Sequence, residues 1–105
     1  MNTFKTEEIS MTLIASAGEG KSLAFEALNK AKNHQFEEAE KLMQQAEESV
    51  KKAHVEQTKL LVKEANQEKA EINVLLIHAQ DHLMTSVLAV DLIREMIEIM
   101  KGEKV

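Results

Sequence analysis

The stretch Leu75-Leu76-Ile77-His78-Ala79-Gln80-Asp81-His82-Leu83-Met84-Thr85 places a polar island inside the most apolar part of the chain. Residues three, four and seven apart share a helix face, so on a helix His78, Asp81, His82 and Thr85 converge on one patch. Two imidazoles and a carboxylate suit proton, metal or phosphoryl chemistry near neutral pH. Among leucines such groups are costly unless they are paired or used. The patch therefore reads as a functional site.

Working outward from it, helix is the only secondary structure that the sequence favours over long runs. The 105 residues contain no proline, and Ala, Leu, Glu, Lys, Gln and Met are abundant. Three helices are expected: from about Thr6 to Lys32, from about Phe36 to Ala65, and from near Glu71 to a C-cap close to Gly102. Asn33-His34-Gln35 and Asn66-Gln67 mark the breaks. Helices of this size are roughly 40–45 Å long, and short loops force them into an antiparallel three-helix bundle, a spectrin-like hairpin. The fold class is all-α, with one domain over residues 1–105.

The second helix has one apolar stripe (Phe36, Ala39, Met43, Ala46, Val50, Ala53, Leu60, Leu61), with Glu37/Lys41, Glu47/Lys51 and Glu48/Lys52 paired elsewhere on its surface. It reads as an outer helix without chemistry. The first helix puts Ile9, Leu13, Ser16, Ala17, Gly20, Ala24, Ala27 and Ala31 on one face, small residues that let a neighbouring backbone come close. Gly18-Glu19-Gly20-Lys21-Ser22 looks like the end of a phosphate-binding P-loop. It lacks the preceding strand, and Ala15 stands where the first glycine belongs. Its glycines are better assigned to packing or a local bend.

The third helix carries two apolar stripes. Ile72, Leu76, Ala79, Leu83, Val90 and Ile97 can bury against the other two helices. Nearly opposite run Val74, Ile77, Met84, Leu88, Leu92, Met96 and Ile99. A helix apolar on two sides needs two partners, and one three-helix hairpin supplies only one. Val74, Ile77, Asp81, Met84 and Leu88 keep the rhythm of a coiled-coil seam, so self-association through this helix is expected, with Asp81 mid-seam. Copies of Asp81 meeting near an axis would share protons or take a hard cation such as Mg²⁺. The competing reading is a buried polar residue that fixes register, a task that aspartate does poorly because its charge repels its copies.

For His78 and His82 the residues leave three chemistries open. A zinc or iron site would need further ligands on facing helices, and helix one offers only Glu19 and Glu26. A general base acting on a small substrate would need a pocket that a compact bundle hardly provides. A covalent site would use His78 as a nucleophile that accepts a phosphoryl group, with His82, Gln80 and Thr85 as donors to the added charge. His34 and His54 read as ordinary surface residues, and the methionines as plastic packing.

A net charge of -5 with neither Trp nor Tyr argues against nucleic acid, which wants cations and stacking platforms. With no cysteine there is no disulfide or thiol nucleophile, which suits a reducing cytoplasm. The beginning shows no signal-peptide pattern, and charges interrupt residues 74–100 too often for a membrane span. A soluble, cytoplasmic chain is expected.

The string LLIHAQDHLMT, with Ala17-Gly18-Glu19 and Phe25-Glu26-Ala27-Leu28 upstream and Phe36-Glu37-Glu38-Ala39 after the first turn, resembles the lactose/cellobiose-type enzyme IIA components of the bacterial phosphoenolpyruvate-dependent sugar phosphotransferase system. The resemblance spans nearly the whole chain. It implies a homotrimer of nine helices, phosphorylation of His78 at Nε2, His82 beside the phosphoryl group, and Asp81 on a magnesium-like cation at the three-fold axis, one per trimer. It also implies a relay: phosphoryl passes from the histidine-containing phosphocarrier protein to His78 and on to a cysteine of a IIB component, while a membrane IIC component translocates the sugar. The likeness departs at Gly20-Lys21, where relatives commonly carry Ala-Arg. Ser22 to Leu28 leans toward cellobiose or chitobiose relatives. The alternatives are a non-catalytic oligomeric helical adaptor and, behind it, a metal-binding bundle.

Overall fold

A computed structural model describes residues 3–102. Three helices dominate: α1 (Glu7–Lys32), α2 (Phe36–Ala65) and α3 (Val74–Gly102). Acidic residues open the first two (Glu7, Glu8; Glu37, Glu38) and lysines close all three, as the helix dipole favours. The expected three-helix bundle is the observed one. Gly102 is still helical, and any capping by it lies outside the described residues.

Both interhelical turns close with the same device. After α1, His34 N–H donates to Ala31 O and Gln35 N–H to Lys30 O; after α2, Gln67 N–H donates to Glu64 O and Glu68 N–H to Lys63 O. This double bond pattern needs a left-handed residue, usually glycine. Here His34 (φ 59°) and Gln67 (φ 67°) occupy those positions.

The α2–α3 connection differs from the expectation. Helix three begins at Val74, not near Glu71, because the preceding residues are held extended. Lys69–Ala70 (β2) pairs in parallel with Thr3–Phe4 (β1), Thr3 opposite Lys69 and Phe4 opposite Ala70. Glu71 N–H donates to Phe4 O at 2.9 Å, and the buried Thr6 hydroxyl donates to Glu71 O at 2.6 Å. The Lys63 ammonium lies 4.4 Å from the Phe4 ring centre, a cation–π contact that ties the strap to α2. Ile72 therefore lies before the helix and is 72% exposed instead of joining the core stripe. Leu61, assigned to the buried stripe of α2, is also exposed.

α1 is the middle element. It packs along both α2 and α3, which touch each other far less. Its inner positions Ala17, Gly20, Ala24, Ala27 and Ala31 are buried, so the other helices come close to its axis. The core has two parts. One gathers Met43 and Val50 of α2 with Val90, Ile93 and Ile97 of α3 around the alanines of α1. The other joins Leu13, Ala17, Ala53, Ala79 and Leu83. Ile93 and Ser86 complete the buried stripe of α3. The seven residues of its second stripe, Val74 to Ile99, are all exposed on the single chain.

Arg94 clamps α3 to α2. Its Nη1 and Nη2 donate to the two oxygens of Glu40 at 2.6 and 3.1 Å, and its Nε and Nη2 donate to Glu47 at 2.9 Å each. These hydrogen bonds hold the Glu40 carboxyl below the usual glutamate range.

Two outcomes follow from this packing. At Gly20 a Cβ would lie 2.5 Å from Val50 Cγ2 and 3.0 Å from the Ala46 carbonyl oxygen. Overpacking against backbone outweighs the better helix propensity of alanine, so Gly20→Ala should cost about 1–2 kcal/mol. Adding Val50→Ala should return part of that loss in a double-mutant cycle read by urea unfolding; strict additivity would deny the contact. For Glu40, a lowered pKa in the folded chain means that its ionised form contributes stability above the ordinary glutamate range, lost as pH falls through the lowered value. Glu40→Gln should be less stable at neutral pH and lose less on acidification, and parallel stability–pH curves would contradict this.

Candidate functional site

The polar island lies in the first turns of α3, where the helix start is fixed. The Asn73 side-chain oxygen accepts the Leu76 N–H at 2.9 Å, an N-cap that satisfies a donor the helix leaves open. Beneath the island, Leu76, Ala79 and Leu83 are buried, the last two against Leu13 and Ala17 of α1 and Ala53 of α2. The island thus stands on a packed floor, and its side chains project from one rigid helix.

His78 is exposed and His82 half-buried. Their rings stack with centroids 5.8 Å apart and planes 17° from parallel. The edge of the His82 ring meets α1: a Cβ built on Gly18 would lie 3.0 Å from His82 Nε2. One imidazole is therefore open to solvent, while its neighbour is held against α1. Asp81 is exposed on the same strip as Val74, Ile77, Met84 and Leu88. Thr85 turns its hydroxyl back on its own helix, to the carbonyl oxygens of Asp81 (2.9 Å) and His82 (3.2 Å).

Gln80 is not brought to the imidazoles. Its amide donates to Gln57 Oε1 on α2 at 2.7 Å, so it ties two helices together on another face of α3. Two residues along a helix turn the side chain by about 200°, which is why Gln80 parts from His78. His34 and His54 are exposed, His34 edge-on to Phe36 with centroids 5.8 Å apart. Among the described residues no group of three or more His, Cys, Asp or Glu could hold a metal ion within one chain. Asp81 brings a single exposed carboxylate, a donor that fits a hard cation only when copies of the chain supply the rest.

Three contributors to the site escape a reading of the local motif: Gly18, Gln57 and Asn73. Asn73 was legible, since an asparagine just before an apolar helical run is a capping signal. Gly18 and Gln57 sit far from the motif in sequence, and only packing brings them near.

The lactose/cellobiose-specific IIA subunit family of the PTS matches residues 8–101. The chain belongs to that family, whose members are phosphotransfer components. Over 93 residues it is 45% identical to the N,N'-diacetylchitobiose-specific EIIA component of the PTS from Escherichia coli strain K12, covering 89% of this chain and 80% of that protein. The crystal structure of the cellobiose-specific enzyme IIA from Bacillus anthracis superposes with a TM-score of 0.88 at 44% identity, covering 96% of this chain and 92% of the other. A solution structure of the IIA(chitobiose)–HPr complex of the Escherichia coli phosphotransferase system gives a TM-score of 0.78 at 41% identity, over 94% and 96% of the two chains. Among the described residues no helix of this IIA subunit is long and apolar enough to cross a membrane.

Proposed function

We propose that this IIA subunit carries a phosphoryl group on His78 between a phosphocarrier protein and a IIB component. The observation that bears most weight is the stacked pair: an exposed His78 imidazole with a half-buried His82 beside it on a packed helix. A carrier must offer its nucleophile to two different proteins in turn, and an exposed side chain on a rigid element does so. The relative solved in complex with HPr supports HPr as the donor.

In the first step the lone pair of His78 Nε2 attacks the donor's phosphoryl phosphorus. The N–P bond to the donor breaks as the new N–P bond forms, and the donor nitrogen leaves with its electron pair. In the second step a cysteine thiolate of the IIB component attacks, the His78 N–P bond breaks, and the imidazole is restored. The phosphoryl group then reaches the sugar that the membrane IIC component translocates, on the cytoplasmic side. His82 donates a ring N–H to the phosphoryl oxygens, and Gln80 supports the site indirectly through its tie to Gln57. The sugar is a disaccharide of the cellobiose or chitobiose kind or lactose, in keeping with relatives specific for each.

We also place this chain in a homotrimer of nine helices, with the exposed stripe of α3 as its seam. Seven large apolar residues uncovered on one face of one helix call for a covering surface. Asp81 from three chains would meet there and hold one Mg²⁺ or similar divalent cation, which would neutralise the gathered carboxylates.

Two experiments test this reading. Incubated with a phosphoryl-loaded phosphocarrier protein, the wild type should label on a histidine and His78→Ala should not. His82→Ala should accept phosphate but pass it to the IIB component about 10²–10³ times more slowly, the usual cost of one preorganised donor. Labelling that survives His78→Ala, or follows His34 or His54, overturns the assignment. For assembly, sedimentation should give a trimer that loses heat stability when divalent ions are stripped at neutral pH. Asp81→Leu should stay trimeric without ion binding, since an apolar residue can replace a buried charge, whereas Asp81→Lys should dissociate. A monomeric wild type, or a trimeric Asp81→Lys, would remove α3 as the seam.

A further inference from the structure

We propose that Gly18 of α1 is a positioning residue for the phosphoryl relay: by having no side chain it provides the seat that holds His82 beside His78. The inference rests on the carrier role argued above and assigns a part in it to a residue outside the histidine motif.

The geometry is specific. A Cβ on Gly18 would lie 3.0 Å from His82 Nε2, with Cδ2 at 3.9 Å and Cε1 at 4.0 Å. The ring therefore meets α1 end-on, Nε2 leading, and fills the space a side chain would take. Its face is at the same time nearly parallel to that of His78, with centroids 5.8 Å apart. One wall is the backbone of α1 and the other is the acceptor imidazole. A Cβ only 3.0 Å from Nε2 would be too close for an ordinary contact, so a methyl group at position 18 should move the His82 ring by a few tenths of an ångström, and a branched side chain should move it further.

Helical preference does not account for the glycine. Position 18 lies inside α1 (Glu7–Lys32), where glycine weakens a helix relative to alanine. Gly20, two residues on, has a separate reason, the approach of Val50 and Ala46 on α2. The pair faces in two directions: Gly20 admits the α2 backbone, and Gly18 admits a side chain of the reactive patch on α3.

The consequence is kinetic. The transition state of transfer needs donors already aimed at the phosphoryl oxygens, and small misplacements of such groups are costly. Gly18→Ala should slow transfer from His78 to the IIB cysteine about tenfold, and Gly18→Val by on the order of 10². The melting temperature of Gly18→Ala should hold or rise, because alanine is the stronger helix former.

The test is a double-mutant cycle with a structural readout. Transfer rates are measured for the wild type, Gly18→Ala, His82→Ala and the double variant, and nuclear Overhauser contacts are sought between the Gly18 α-protons and the His82 ring protons. The proposal expects those contacts in the wild type, slower transfer in Gly18→Ala, and no further slowing when Gly18→Ala is added to His82→Ala. Equal slowing in both backgrounds, absent contacts, or wild-type rates in Gly18→Ala and Gly18→Val would overturn it. If the wild type took no phosphoryl group at His78, the carrier role itself would fall. A labelled wild type with unslowed Gly18 variants would reject Gly18 alone.

Discussion

The structure depends on how closely its helices approach α1. Ala17, Gly20, Ala24, Ala27 and Ala31 give α1 a buried face with almost no side-chain height. α2 and α3 therefore come near its axis on two sides and touch each other little. The tightest point is Gly20, where even a methyl group would meet Val50 and the Ala46 carbonyl. Larger residues on α1 would spread the bundle and lift the histidine patch of α3 off its floor of Leu13 and Ala17.

α3 carries two apolar stripes and the stacked histidine pair. Its buried stripe, Leu76 through Ile97, completes the core, while its other apolar stripe, Val74 through Ile99, is uncovered in the single chain. Between them sit His78 and His82. That placement gives the imidazoles a rigid base on one side and access on the other. Arg94 secures the far half of the same helix to α2 through two forked carboxylate contacts, and the paired strands with Thr6 and Asn73 secure its beginning. The helix that bears the histidines is thus tied by polar interactions at its start and at Arg94, and by apolar packing from Leu76 to Ile97.

Much of the fold was legible because helix formation is local. Strong helix formers, the absence of proline and two clear apolar periods located all three helices to within a few residues. The misplaced residues have a common cause. Ile72 carries the right period for the α3 stripe, but Glu71 bonds to Phe4 and Thr6, residues more than sixty positions away, and the chain stays extended there. Leu61 also fits the period of α2, yet it is exposed on the wall of an open groove that it shares with Ile72 and Ile77. Gln80 belongs to the motif by adjacency and leaves it by rotation, turning to Gln57.

The sequence by itself determined the three helices, the two-sided apolar character of α3 and the gathering of His78, Asp81 and His82 on one face. Each of these follows from the 3.6-residue period, which relates near neighbours without reference to the rest of the chain. Only the tertiary structure decided that His82 stacks on His78 with its edge against Gly18, that Gln80 serves α2, and that Arg94 locks Glu40 and Glu47. Those are contacts between residues of different helices. They depend on the distance and rotation of one helix against another, which the summed packing of the whole core sets and no local stretch of sequence encodes.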